Sequence, residues 1–204
     1  MLKFTIGFPM VGGGNEERMI LSDQQREENF QEYLRLRQDP NYYDVTFDDT
    51  SGGVSAIHRE HRFDSSMGLY GIKKGDYERL VVKALVKRGH VVRLESELAP
   101  EGVKSPDGSL DGTIMDIKTV ERNGKWAIKD KIHIATKQGV ECIVFYFHKA
   151  SLFSFERLED GWAKFLNDID SQRYSNTIKQ VLCVVVDEVI EWDIPNKKAA
   201  EAAF

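Results

Sequence analysis

Two periods of apolar residues alternate along the chain, and together they outline the elements. Ser22 followed by Gln25 has the spacing of a capping box, and it opens a polar helix rich in glutamate and glutamine. That helix is expected to run to about Gln38, where Pro40 stops it. YYDVTFD, the turn-forming run Asp49-Thr50-Ser51-Gly52-Gly53 and then VSAIH predict a β-hairpin. From Asp76 onward, Tyr77, Leu80, Val81, Ala84 and Leu85 recur at three- and four-residue spacing, so one apolar stripe faces a core until Gly89 ends the helix. HVVRLE follows as a strand. Pro106 to Gly112 is a turn-rich link holding a short extended piece, and it leads into the strand TIMDIKTV, which Asn123-Gly124 closes.

Residues Ala127 to Gln138 form another amphipathic helix, with Ile128, Ile132 and Ala135 inward and Gly139 at its end. VECIVFYFH is the next strand, a helix spans about Phe155 to Ile169, and QVLCVVV is a further strand. This order predicts an α/β protein, a sheet with helices packed on its faces. The tail after Trp192, residues 193–204, is expected to fray.

Composition narrows this picture. The chain has 204 residues, 41% of them hydrophobic and 30% charged, which fits one globular domain with a small appendage. No stretch approaches the ~18 uninterrupted apolar residues of a membrane span, and the opening residues lack a leader pattern. The expectation is a cytoplasmic or non-classically delivered protein with no membrane partner. Cys142 and Cys183 lie in apolar runs and are expected to be free, buried thiols, too few for a disulfide framework or a zinc site. A formal charge of −5 argues against a protein that simply coats nucleic acid. Gly12-Gly13-Gly14 lacks the context of a phosphate-binding loop and reads as a turn. His58 and His61 sit three apart, but no acid or cysteine pattern completes a metal site, and they receive no role.

The chemistry concentrates in PDGSLDGTIMDIK. Asp107 is followed nine residues on by the triplet Asp116-Ile117-Lys118. Residues two apart on a strand share a face, so the Asp116 and Lys118 side chains emerge together, and a tight link can bring Asp107 alongside. Two convergent carboxylates suit Mg²⁺ or Mn²⁺, which prefer hard oxygen ligands and retain waters able to attack a phosphate. A neighbouring lysine orients that water or neutralises charge developing on the phosphoryl oxygens. Lys73, Lys74, Arg79, Lys83, Lys87 and Arg88 make the helix around Tyr77 basic, a face open to solvent or to phosphates.

Three segments, GDYERLVVKALVKRGHVV, KSPDGSLDGTIMDIKT and IHIATKQGVECIVFYF, together resemble the PD-(D/E)XK nuclease superfamily over residues 63 to 150. They look closest to the C-terminal nuclease domains of contact-dependent growth-inhibition toxins, tRNA nucleases among them, and of phage head-morphogenesis proteins. The resemblance implies a restriction-endonuclease-like core in αβββαβ order, a mixed β-sheet flanked by helices. Residues 63–192 would form that domain, and 1–62 an N-terminal extension of helix and β-hairpin without ligands, dispensable for chemistry. It further implies a Mg²⁺-dependent nuclease acting on DNA or structured RNA such as tRNA in the cytoplasm, delivered from another cell or a phage particle. A cognate immunity protein is the implied partner. Asp107 and Asp116 would bind metal with the Ile117 carbonyl, Lys118 would be the catalytic lysine, and Glu78 would match the family's helix acid. Asp111 is an alternative to Asp107, and Lys129, Lys131 or Lys137 to Lys118, with Gln138 a further polar candidate at the helix end. The rival expectations are a non-catalytic nuclease-fold module used in phage assembly or nucleic-acid binding, and an enzyme for another phosphate ester.

Overall fold

The computed structural model describes residues 21–98, 105–170 and 176–194, so Gly12-Gly13-Gly14 and the tail from Pro195 lie outside the described residues. Helix α1 (Asp23–Gln38) starts on the expected capping box, in which the Ser22 side chain takes the Gln25 N–H and the Gln25 side chain returns to the Ser22 N–H. The remaining elements follow as β1 (Tyr42–Phe47), β2 (Val54–His58), α2 (Lys74–Lys87), β3 (Val91–Leu94), β4 (Gly108–Leu110) and β5 (Thr113–Thr119), and then α3 (Ala127–Lys137), β6 (Cys142–Phe147), α4 (Phe155–Asp170), β7 (Gln180–Val185) and β8 (Glu188–Trp192).

The eight strands form one mixed sheet in chain order, β1 to β8. β2 runs parallel to β3, β4 is antiparallel to both β3 and β5, and β5, β6 and β7 are mutually parallel in sequence. The segment from α2 to β6 therefore has the expected order of one helix, three strands, a helix and a strand, and the β1–β2 hairpin joins the same sheet beside β3.

Helices cover both faces. Tyr77, Val81, Ala84 and Leu85 of α2 pack on Met115, Cys142, Val144 and Leu182 from one side. From the other side, Ile128, Ile132 and Ala135 of α3 and Leu158, Trp162 and Phe165 of α4 pack on Ile143, Phe145 and Phe147. β6 is buried at every position, which is why its sequence is a continuous apolar run rather than an alternating one. Leu36 of α1 packs on Val54 and Ala56 at the hairpin end. Both cysteines are free and buried. No described helix is long and apolar enough to cross a membrane.

Two local expectations change, and one is met in more detail. Leu80 is 41% exposed rather than inward, because α2 presents a narrower stripe to the sheet than its apolar residues suggest. The link from Pro106 to Gly112 contains the paired strand β4, too short to show a period, and turns at Asp111 (φ 48°) and Gly112 (φ 83°) into β5. β8 adds an edge strand after the turn at Val186 (φ 63°) and Asp187, where no strand is expected from sequence.

β4 holds its neighbour very closely, for a side chain built on Gly108 would overlap the Arg93 carbonyl of β3. Gly112, by contrast, has open space around the position of a Cβ. Gly108→Ala should therefore cost ~1–3 kcal/mol through backbone displacement. Gly112→Ala should cost about 1 kcal/mol or less, from its left-handed backbone alone. Urea denaturation of both variants checks this, and equal losses would count against the close β3–β4 approach.

Candidate metal and phosphate site

β5 outlasts β4. The register pairs Gly108 with Met115, so the next residue back, Asp107, stands beside Asp116 where β4 begins. There a carboxylate replaces the ladder, for the Ile117 N–H donates to Asp107 Oδ2 at 2.7 Å. The N–H and C=O of a strand residue point to the same edge, so the Ile117 carbonyl opens toward Asp107 as well. The Asp107 carbonyl accepts from the Glu95 N–H at 3.0 Å, which ties the same residue to the end of β3.

Asp116 is 1% exposed and meets both the Asp107 carboxyl and the Lys118 ammonium. Two positions apart on β5, Asp116 and Lys118 do share a face. Lys118 Nζ also donates to Gln138 Oε1 at 3.2 Å, and Gln138 Nε2 donates to the Ser105 carbonyl at 3.0 Å. Gln138, the C-cap residue of α3, thus clamps the lysine to the segment that carries Asp107.

A cleft of about 370 Å³ opens beside these groups, lined by Glu78, Asp107, Ile117, Lys118 and Lys131 among others, while Asp116 lies buried behind Asp107 and Lys118 rather than in its lining. Glu78 comes from the first half of α2, one residue after the fully buried Tyr77. Of the alternatives left open by sequence, Asp111 faces elsewhere, accepting from the Val91 N–H at 2.8 Å and pairing with His90 Nδ1 at 2.7 Å. Lys129 pairs with Asp168 at 2.6 Å, whereas Lys131 reaches the cleft. Arg79, Lys83 and Lys87 line a separate groove of about 400 Å³ against the β1–β2 hairpin, whereas Lys74 lines the cleft with the acids.

One residue given no role by sequence joins the site. The His61 side chain is fully buried, with Nε2 3.2 Å from Glu78 Oε1 and Nδ1 3.7 Å from Glu97 Oε1. Ligand atoms of these three residues lie within 4.8 Å of one another, an arrangement that can hold a metal ion. Glu78 is 17 positions and Glu97 36 positions beyond His61, so no local spacing reveals the set.

The electrostatics follow from burial. Burial raises the Asp107 carboxyl above its ordinary value; contact with Asp116 opposes the shift and the Glu78 charge adds to it. Burial and the Asp107 charge push Asp116 up to about 8 against the pull of Lys118. For His61, burial works to lower the pKa, but the Glu78 carboxylate outweighs it and the ring titrates above its usual range. Burial and the Lys118 charge lower Lys131.

No protein-family model matches this sequence, and no curated protein matches it. Among solved structures, the fold is similar to a chain of a CdiA-CT/CdiI toxin and immunity complex from Burkholderia pseudomallei, with 15% identity and a TM-score of 0.45 over 69% of this chain and 99% of that one. Likeness at that level carries no residue correspondence.

The raised carboxyls set a sign for pH dependence. Unfolded aspartate titrates near ~4, so the folded chain holds more protons between that value and the Asp116 value of about 8. Their stabilising contribution is complete below the unfolded pKa and is lost as pH rises through the folded one. His61, also raised, adds the same sign. In chelator the melting temperature should fall as pH rises through this window, and Asp116→Asn should flatten the fall. An equally steep fall in the variant would remove Asp116 as its source.

Proposed function

We propose that this chain is a divalent-metal-dependent nuclease of the PD-(D/E)XK type that hydrolyses phosphodiester bonds in DNA or structured RNA. The observation that carries this reading is the meeting of Asp107, Asp116 and Lys118 beside a cleft that Glu78 enters from a different element. Hard carboxylate oxygens at Asp107 and Asp116, with the Ile117 carbonyl and Glu78, fit Mg²⁺ or Mn²⁺. Such an ion supplies a nucleophilic water and polarises the phosphoryl oxygen.

The chain's own groups divide the remaining work. Lys118, held by Asp116 and Gln138, stands where an ammonium can orient the attacking water or meet charge on the phosphate. Lys131, whose proton is loosened by burial, is a second cation facing the same space. Gln138 is a positioning residue, since it acts on Lys118 and on the Ser105 carbonyl. The resemblance over residues 63 to 150 extends the reading to a toxin-like or phage-associated nuclease, delivered to a cytoplasmic target and restrained by a cognate immunity protein.

Cleavage of plasmid, single-stranded DNA or total tRNA should require Mg²⁺ or Mn²⁺ and stop in EDTA. Robust cleavage in excess chelator refutes the mechanism. Asp107→Asn and Asp116→Asn should lose both metal affinity and turnover. Lys118→Met should keep metal binding while cleavage falls ~10²–10⁴-fold. If Lys118→Met cuts at the parent rate, Lys131 becomes the better candidate, and if Asp116→Asn also cuts normally, the site is wrong.

A further inference from the structure

The buried His61 side chain is held in one orientation. Its Nδ1 lies 3.1 Å from the Glu95 carbonyl, which only accepts, so Nδ1 carries a hydrogen and the neutral ring keeps its lone pair at Nε2. In the neutral ring Nε2 has no hydrogen-bond partner; only in the protonated ring does it pair with Glu78. Nε2 faces Glu78 Oε1, another acceptor, across 3.2 Å. Two acceptors at that distance need a proton or a cation between or beside them. With metal–ligand bonds of ~2.0–2.2 Å, neighbouring ligand atoms sit roughly 3 Å apart, so the observed separation already suits a shared ion. A ligating histidine also typically donates its second ring N–H to a carbonyl or carboxylate, the part Glu95 plays here.

We propose that His61, Glu78 and Glu97 form a second metal position, distinct from the Asp107–Asp116 pair, that takes a nitrogen-accepting transition ion such as Mn²⁺ or Zn²⁺ in preference to Mg²⁺. The preference follows from the donor set. An imidazole suits Mn²⁺ and Zn²⁺ better than Mg²⁺, which favours all-oxygen surroundings and keeps its waters. His61 and Glu78 form the buried side of the position; Glu97, with 37% of its side chain exposed, stands 3.7 Å from Nδ1, within the 4.8 Å that spans the three ligand atoms, and closes the position from solvent.

The cleft supplies a second reason. Asp64, Glu78, Glu97, Asp107 and Glu121 line it against Lys74, Lys118 and Lys131, so acids outnumber lysines there five to three. A divalent ion balances that excess of two. Glu78 faces both positions, since it touches His61 and its charge also acts on Asp107. The proposal does not depend on the nuclease reading, because the ligand set is complete without Asp107 or Asp116.

Calorimetric titration of the metal-free full chain with Mn²⁺, and separately with Zn²⁺, tests it. The parent should bind two Mn²⁺, and excess Mg²⁺ should displace one of them. Glu97→Gln should weaken one of the two at least tenfold, and His61→Gln should abolish the same one while Asp116→Asn leaves it in place. Co²⁺ bound to Asp116→Asn should show visible absorption bands that disappear in the His61→Gln, Asp116→Asn double variant. Circular dichroism confirms folding, and because Glu97 is exposed its variant decides the matter should the buried His61 substitution unfold the chain. Loss of every Mn²⁺ equivalent in Asp116→Asn, or unchanged Mn²⁺ affinities in Glu97→Gln, overturns the proposal. Asp116→Asn that keeps this ion, in a chain whose parent cuts no nucleic acid, would sink the nuclease reading and leave this site standing.

Discussion

A single hydrogen bond, from the Ile117 N–H to the Asp107 carboxylate, fixes where the carboxylates of the proposed site meet. β4 is three residues long, and beyond Gly108 there is no strand to accept the next ladder bond from β5. The Asp107 side chain takes that bond in place of a backbone carbonyl. A buried N–H left without a partner costs ~1–3 kcal/mol, so Asp107 is held to the strand edge with its carboxyl in contact with Asp116. The close approach of Gly108 to the Arg93 carbonyl fixes the same residue from the other side. Neither contact is about catalysis, yet together they set two carboxylates next to one another.

Such a pair is electrostatically unfavourable. Both aspartates are pushed above the usual carboxylate range by burial, and Asp107 adds to the shift of Asp116. Lys118 offsets part of the cost, and Gln138 keeps it from turning away to solvent. The lysine also lies close to Lys131, whose proton it helps to loosen. In the proposed function the acids exchange protons for a cation, and the lysines meet the phosphate. A structural ion pair would need neither the second acid nor the cleft above it.

Much of the fold was legible because its elements carry their own periods. α2 and α3 show apolar stripes, and β6 and β7 show the continuous runs of strands covered on both faces. β4 was legible only as a short extended piece, because three residues cannot show alternation, and β8 escaped because EVIEW follows its turn with a mixed pattern of burial. The Asp-x-Lys triplet was legible since strand geometry alone places Asp116 and Lys118 on one face. Asp107 needed the hairpin at Asp111-Gly112 to be preferred over Asp111, which binds His90 and the Val91 N–H instead. His61 was illegible, because its partners come from α2 and from beyond β3 and nothing near it in sequence announces them.

The sheet's directions explain why these distant residues meet. β2, β3, β5, β6 and β7 all point the same way, as β4 is antiparallel to both of its neighbours. Their carboxyl ends share one edge, the edge where open α/β sheets bind ligands. Asp116 and Lys118 lie in the second half of β5, Asp107 just precedes the antiparallel β4, and Glu95 and Glu97 follow β3. Glu78 is in the first half of α2, which begins after β2 has ended at that edge, and His61 follows β2 itself. Because β2 is registered against β3, with Ile57 beside Leu94, the residues leaving the two strands are delivered to one place, and the His61 ring reaches the Glu95 carbonyl there. The hairpin thus does more than extend the sheet: its parallel pairing with β3 is what carries a histidine to the acids.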